Sequence, residues 1–163
     1  MKKIRYGLAL IALLLCLGAC AGRTTEGQAE QAVPASSTVA GPTMNISELV
    51  EGNFQSVQGI WSNDAGERLV FNQAGLATSE YVPDSVSLTY YGTARMVVNR
   101  AAQDLREGFV LEFIPAGVQI GTQVDGMGQE IFSDTSDSSQ DRLWVGSGTT
   151  SFAEQGSFYY KAN

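Results

Sequence analysis

The sequence of 163 residues contains no histidine and only two cysteines, Cys16 and Cys20. Without histidine there is no Ser-His-Asp triad or Cys-His dyad, and nearly every zinc or copper site is excluded. Because both cysteines lie near the amino terminus, the rest of the chain has neither a disulfide nor a thiol nucleophile. The sequence also lacks the phosphate-binding glycine loops, the Gly-x-Ser-x-Gly elbow and the Ser-x-x-Lys pair found in common enzyme classes.

Basic residues are scarce as well, with 10 Lys and Arg against 17 Asp and Glu. This balance argues against nucleic acid as a partner and against adhesion to anionic lipid through basic patches. Three of the basic residues, Lys2, Lys3 and Arg5, precede an apolar run over residues 6–17. That run is shorter than the ~20 residues that span a bilayer, so the segment is typical of an export signal.

The apolar run ends in a leucine, two small residues and a cysteine, namely Leu17, Gly18, Ala19 and Cys20. This pattern resembles the lipobox of bacterial lipoproteins, in which the cysteine takes a diacylglycerol and the signal is cut just before it. The resemblance implies a signal peptide over residues 1–19, cleavage between Ala19 and Cys20, and a lipid on Cys20 that anchors the protein to the cell membrane on its extracytoplasmic side. Leucines, not small residues, precede Cys16, so it has no such pattern. The alternative is a secretory signal with a chance cysteine at its end.

The next segment, residues 21–43, consists of small and polar residues and contains no aromatic side chain. It cannot bury enough apolar surface to offset its ordering entropy, so we expect a disordered tether with a span of roughly 25 Å. Fourteen of the 15 aromatic residues lie in residues 44–163, which form one domain with 6 basic and 15 acidic residues and a net charge of −9. The predicted organisation is a signal over residues 1–19, the lipidated cysteine and linker over residues 20–43, and a β domain over residues 44–163.

Short runs of β-branched and aromatic residues divided by turn residues predict about seven strands in that domain. They lie near residues 59–62, 68–72, 86–91, 94–98, 109–114, 142–145 and 157–161. Asn45 and Glu48, at capping-box spacing, with Gly52 as a stop, predict a short helix over residues 46–51. Residues 99–107 fit either a helical turn or a polar hairpin loop, and residues 121–140 fit a long loop. The predicted fold class is mostly β, a small antiparallel meander or barrel with a short N-terminal helix.

The domain resembles a family of small uncharacterised domains in surface lipoproteins of Gram-positive bacteria, especially streptococci and lactic acid bacteria. The matching stretches are residues 44–46, 52–54, 56–63, 66–71, 75–76, 113–118 and 141–146, whereas residues 77–107 match loosely. The resemblance implies a lipidated cell-surface protein of a Gram-positive bacterium. The family carries no assigned catalytic or binding residues, so none are transferred.

Gly59, Ile60 and Trp61, which follow Phe54, look like the Gly-x-Trp opening of lipocalin-type barrels. In those barrels the tryptophan fills the closed end, which a turn of N-terminal helix covers. A tryptophan on the first strand of a β-sandwich gives the same pattern. A barrel of 120 residues is small enough for side chains to fill its interior, so the pattern does not decide between a filled and a hollow barrel.

One segment, residues 133–141, is rich in ligand oxygens, with Asp134, Asp137 and Asp141 among several hydroxyls. Calcium prefers such oxygens, but the spacing is not that of an EF-hand, and a solvated polar loop is the favoured interpretation. Directly after it, alternation places Arg142 and Trp144 on one face of a strand. A cation–π contact between these two side chains and core packing of Trp144 are the two interpretations, of which packing is the commoner.

Our leading hypothesis is a non-enzymatic, barrel-like binding module on a lipid tether, for a small hydrophobic or amphipathic molecule or a surface partner. We expect no catalytic residue, no metal site and no cofactor, and the sequence assigns no ligand-binding residue. The second hypothesis is an acidic module that captures cationic peptides or enzymes through long-range attraction. The third is a carbohydrate-active enzyme, which would require two carboxylates about 5–10 Å apart in a cleft.

Overall fold

The computed structural model describes residues 43–101 and 108–162. The predictions made for Ala19, Cys20 and the rest of residues 1–42, and those made for residues 102–107, lie outside the described residues. The described part contains one α-helix, one 3-10 helix and eleven strands. No helix in this part of the chain has the length and apolar character needed to cross a membrane.

The helices α1 (Ile46–Val50) and a 3-10 turn (Gln55–Val57) precede the strands β1 (Gly59–Ser62), β2 (Arg68–Asn72), β3 (Gly75–Leu76), β4 (Tyr81–Pro83), β5 (Ser87–Leu88), β6 (Ala94–Arg100), β7 (Phe109–Ile114), β8 (Gln123–Val124), β9 (Glu130–Phe132), β10 (Arg142–Ser147) and β11 (Ser157–Lys161). The main sheet has the order β3-β2-β1-β11-β10-β7-β6-β4, with β5 also paired to β6. Every pairing in it is antiparallel. Because β1 pairs with β11, the meander curls into a nearly closed barrel, and β3 and β4 are its two ends. The prediction of a mostly β, antiparallel barrel with a short N-terminal helix is confirmed.

The N-terminal helix begins at a side-chain cap and ends at a glycine. The Oδ1 atom of Asn45 accepts the backbone N–H groups of Ser47 (3.1 Å) and Glu48 (3.3 Å). The backbone N–H of Asn45 donates to the Ser56 hydroxyl (3.1 Å) and not to Glu48, so only half of the predicted capping box forms. Gly52, with φ +82°, follows the helix in the left-handed conformation that suits glycine at this position.

The interior of the barrel is filled at the end where the helices lie, which we call the helix end. Trp61 is 1% exposed, and its Nε1 atom donates to the Val57 carbonyl at 2.8 Å. The ring of Phe54 lies 6.2 Å from that of Phe71 and 6.3 Å from that of Phe113, which are residues near the ends of β2 and β7. These side chains close the helix end, so space for a ligand inside the barrel lies towards the opposite, open end.

A second layer covers the outer face of β7 and β10. Six buried side chains form its apolar cluster, namely Val110, Ile114, Ile120, Phe132, Trp144 and Phe152. The segment over residues 121–140, predicted as a loop, contains the two-stranded β8–β9 sheet. Its sequence shows no hydrophobic periodicity, because few of its side chains pack on the sheet. Phe132, which is fully buried, is one that does. The prediction of a long loop over residues 121–140 is therefore wrong at Gln123–Val124 and Glu130–Phe132.

The predicted strand over residues 86–91 is also wrong over most of its length. Only Ser87–Leu88 pairs with β6. Val86 is buried, but Leu88 is 65% and Tyr90 86% exposed. The chain turns at this point, with the Gly92 N–H bonded to the Thr89 carbonyl. The alternating apolar residues therefore do not line the core.

Candidate functional site

A cleft of about 940 Å³ lies at the open end of the barrel. It lies among the starts of β2, β4, β7 and β11, the end of β10 and the link over residues 77–80. Its apolar lining comes from partly buried side chains that continue the core, namely Leu69, Leu76, Tyr81, Phe109 and Val145, together with Tyr159. The Tyr81 and Phe109 rings meet edge to face at 5.2 Å. We call this cavity the open-end cleft.

The rim of the open-end cleft is acidic. Among the described residues, three carboxylates line it, from Glu67, Glu80 and Glu154, against the guanidinium of Arg68. All four residues are exposed. Glu154 accepts both the backbone N–H and the hydroxyl of Ser147, at 2.6 and 2.9 Å, which fixes its carboxylate at the end of β10. An apolar interior below a negative rim suits a ligand with an apolar body and a cationic group.

One side chain joins the apolar and acidic parts of the cleft. The Tyr159 hydroxyl donates to Oε2 of Glu67 at 2.9 Å, and Asn63 Nδ2 donates to the same oxygen at 2.6 Å. Burial raises the pKa of Tyr159, and the hydrogen bond and negative charge of Glu67 raise it further. The phenol therefore remains protonated and keeps the Glu67 carboxylate in place at neutral pH.

The three aspartates of residues 133–141 are held by protein donors. Asp134 accepts the Ile120 N–H (2.9 Å), and Asp141 accepts the backbone N–H groups of Met44 (2.7 Å) and Ala116 (2.8 Å). Asp137 accepts the backbone N–H of Ser139 at 3.0 Å. Hydrogen bonds from Ser139 and Gln140 lower the pKa of Asp137 to about 2. No group of three or more potential metal-ligating side chains occurs within the described ranges.

Arg142 and Trp144 lie on one face of β10, as alternation predicted, and both are fully buried. The guanidinium of Arg142 binds the Asp134 carboxylate at 2.9 Å and the Val118 carbonyl at 2.7 Å, and it also donates to Ser136. Trp144 packs between Phe132 and Phe152, with ring centroids 6.1 and 4.8 Å away. Trp144 is therefore a packing residue, and the bonds of Arg142 connect the outer layer to the sheet.

The sequence did not identify the residues of the open-end cleft, which come from segments as distant as Glu67, Glu80 and Glu154. These residues carry no local motif. The one available signal was the acidic charge of the domain, and that charge is spread along the chain.

Comparison with known proteins identifies a family but no function. No curated protein and no solved structure matches the chain. Residues 21–163 match a family described as Domain of unknown function (DUF6287). Since the match covers most of the sequence, the chain belongs to the DUF6287 family.

Proposed function

We propose that this protein is an extracytoplasmic lipoprotein, anchored to the cell membrane through Cys20, whose barrel-like domain is a non-enzymatic binding module. The open-end cleft is its binding site, and the ligand is an amphipathic molecule that carries a cationic group. The proposed anchor rests on the lipobox-like Leu17-Gly18-Ala19-Cys20 and on the basic and apolar residues before it. The family match begins directly after Cys20, at residue 21.

The observation that carries the binding proposal is the open-end cleft itself. Its volume of about 940 Å³ lies within the range of roughly 300–1,000 Å³ that is typical of small-molecule sites. Continuity with the filled core supplies an apolar surface, since Leu69, Phe109 and Val145 belong to both the core and the cleft. Within the part of the chain that the structure describes, three rim carboxylates against one guanidinium favour a positively charged ligand group.

The acids of the cleft support binding more than catalysis. Two of them, Glu67 and Glu154, each accept two hydrogen bonds from protein donors. A carboxylate held in this way is a fixed acceptor for a ligand cation. The lack of histidine in the whole sequence removes the commonest general base.

The proposed anchor is tested with two cysteine variants. Cys20→Ser is expected to abolish incorporation of labelled palmitate and to shift the protein out of the membrane fraction. Cys16→Ser is the matched control and should behave as the wild type. Labelled, membrane-bound Cys20→Ser protein would contradict the proposal.

The proposed ligand class is tested by thermal unfolding of the Cys20→Ser protein with three additives of equal chain length: dodecylammonium, dodecanol and dodecanoate. We expect the cation to raise Tm most and the anion least. Val145→Trp, which fills the cleft, should remove the effect, whereas Val82→Trp on the 54% exposed Val82 of β4 should not. An equal shift with all three additives, or an unchanged shift in Val145→Trp, would contradict binding in the cleft.

A second candidate is capture of cationic peptides or enzymes, favoured by the net charge of −9 over residues 44–163. Long-range attraction of this kind weakens steeply as ionic strength rises. Binding of a basic protein is therefore measured at low and at physiological salt. Binding that survives Val145→Trp but not salt would favour this candidate over the open-end cleft.

A further inference from the structure

A second cavity, of about 340 Å³, lies on the outer face of the sheet and has no part in the proposed function. One wall is formed by Leu88, Tyr90 and Tyr91, and the other by Thr150 and Ser151. Arg95 of β6 and Glu112 of β7 also line it and pair directly across the two strands. We call this cavity the outer groove.

The two charged residues of the outer groove differ in their hydrogen bonds. Glu112 is fully buried and accepts the Thr93 hydroxyl at 2.7 Å and the Ser151 hydroxyl. Arg95 is only half-buried, and its guanidinium has no hydrogen bond or ion pair within 43–101 and 108–162. Burial raises the pKa of Glu112, against the opposing effects of Ser151, Thr93 and Arg95. Because no hydrogen bond within the described residues occupies the Arg95 guanidinium, it can donate to an incoming anion.

The rim of the outer groove presents apolar and aromatic surface to solvent. Tyr90 is 86% and Leu88 65% exposed. The Tyr90 ring lies 3.9 Å from the Tyr91 ring, and Tyr91 in turn bonds Gln123 at 3.2 Å and packs edge to face on Phe152 at 5.2 Å. Tyr91 is thus fixed by the outer layer, and Tyr90 is held against it with one ring face available.

The opposite wall contains backbone strain. Phe152, directly after Ser151, is the one residue other than glycine with positive φ (+57°) in the described part of the chain, and it is 1% exposed. A bulky residue rarely adopts this conformation, and such strain is concentrated at functional sites. The neighbouring Ser151 donates its hydroxyl to Glu112.

We propose that the outer groove binds a sugar that carries a carboxylate or phosphate group. The Arg95 guanidinium donates to the anion, because its planar fork matches the paired oxygens of either group. The exposed ring of Tyr90 lies against the apolar face of the sugar, and the hydroxyls of Thr150 and Ser151 meet sugar hydroxyls. The volume of about 340 Å³ is at the small end of the range for ligand sites, which suits one or two sugar units.

The test is isothermal titration of the full chain, in a zwitterionic detergent, with glucuronic acid, glucose 6-phosphate, glucose, acetate and inorganic phosphate. We expect the carboxylated or the phosphorylated sugar to bind about tenfold or more tightly than glucose and than its matching free anion. The stronger of the two identifies the anionic group. Glucose binding as tightly as both acidic sugars, or no acidic sugar binding at millimolar concentration, would overturn the proposal.

Variants locate the binding. Arg95→Met should weaken it about tenfold or more, while Arg68→Met, which removes an arginine from the open-end cleft, should leave it unchanged. Tyr90→Ala removes an exposed ring whose loss is not expected to prevent folding, and it should weaken binding roughly two- to tenfold. Full affinity in both Arg95→Met and Tyr90→Ala would show that the sugar binds elsewhere, and the proposal would then fail.

Discussion

Replacing Arg142 by methionine should detach the outer layer from the barrel. The substitution removes the cation from Asp134, whose side chain is 2% exposed in this ion pair. Breaking a buried pair at one partner costs about 3–5 kcal/mol. A single surface loop covers this pair, with Thr135 and Asp137 exposed on either side of Ser136, so we expect the lower value, about 3 kcal/mol. For a domain of this size that corresponds to a fall in Tm of roughly 12 °C.

Calorimetry and guanidinium unfolding measure this loss, with Arg68→Met as the exposed control expected to change stability by less than about 0.5 kcal/mol. Adding Asp134→Asn to Arg142→Met should recover at least about 1 kcal/mol, because the unpaired carboxylate is then gone. The pH dependence of the free energy of unfolding gives a second readout. Burial opposes ionisation of Asp134, but hydrogen bonds from Ile120, Ser136 and Arg142 outweigh it and lower its pKa. The stability from this group is present above the ordinary carboxyl pKa and lost as pH falls through the lowered value. A loss below about 1 kcal/mol in Arg142→Met, or no recovery in the double variant, would refute the reasoning.

Three further substitutions test other parts of the structure by denaturant unfolding. The pKa of Glu112 is raised in the folded state. The stability that this group contributes is therefore complete below its ordinary pKa of 4.5 and is lost as pH rises through the raised value. Glu112→Gln should flatten that decline in the free energy of unfolding, and an unchanged pH profile would contradict this expectation. Gly146→Val should cost about 1–3 kcal/mol, because a Cβ there meets the Trp144 ring, whereas Gly121→Val, which meets nothing, should cost less than about 0.5 kcal/mol. Trp61→Phe should cost about 1–3 kcal/mol, since it leaves the Val57 carbonyl without its donor, and wild-type stability would show that this bond is dispensable.

The strands at the centre of the sheet were predictable from sequence, because their composition reflects burial on both faces. In Phe109–Ile114, five of six residues are buried, since the core lies on one side and the outer layer on the other. Asn45 likewise marked the start of the helix through its cap. The edge strands were not predictable: β3, β4 and β5 are two or three residues long and are defined by their partners. Alternation alone did not identify a buried strand at Tyr90, because Tyr90 and Leu88 alternate with polar residues but are both exposed to solvent.

Neither cavity could be read from the sequence. The open-end cleft depends on where β3 and β4, joined by residues 77–80, form the two ends of the sheet. The outer groove depends on Arg95 meeting Glu112 across β6 and β7, which is a matter of register. A shift of one residue in either strand would move the side chain on that strand to the core face and separate the pair.

The open-end cleft is most directly tested by an NMR titration of the Cys20→Ser protein with dodecylammonium below its critical micelle concentration. The account predicts saturable amide shifts around Leu69, Tyr81, Phe109, Val145 and Tyr159, with Leu49 and Trp61 at the helix end unaffected. Shifts centred on the helix end, or none at any part of the barrel, would contradict it.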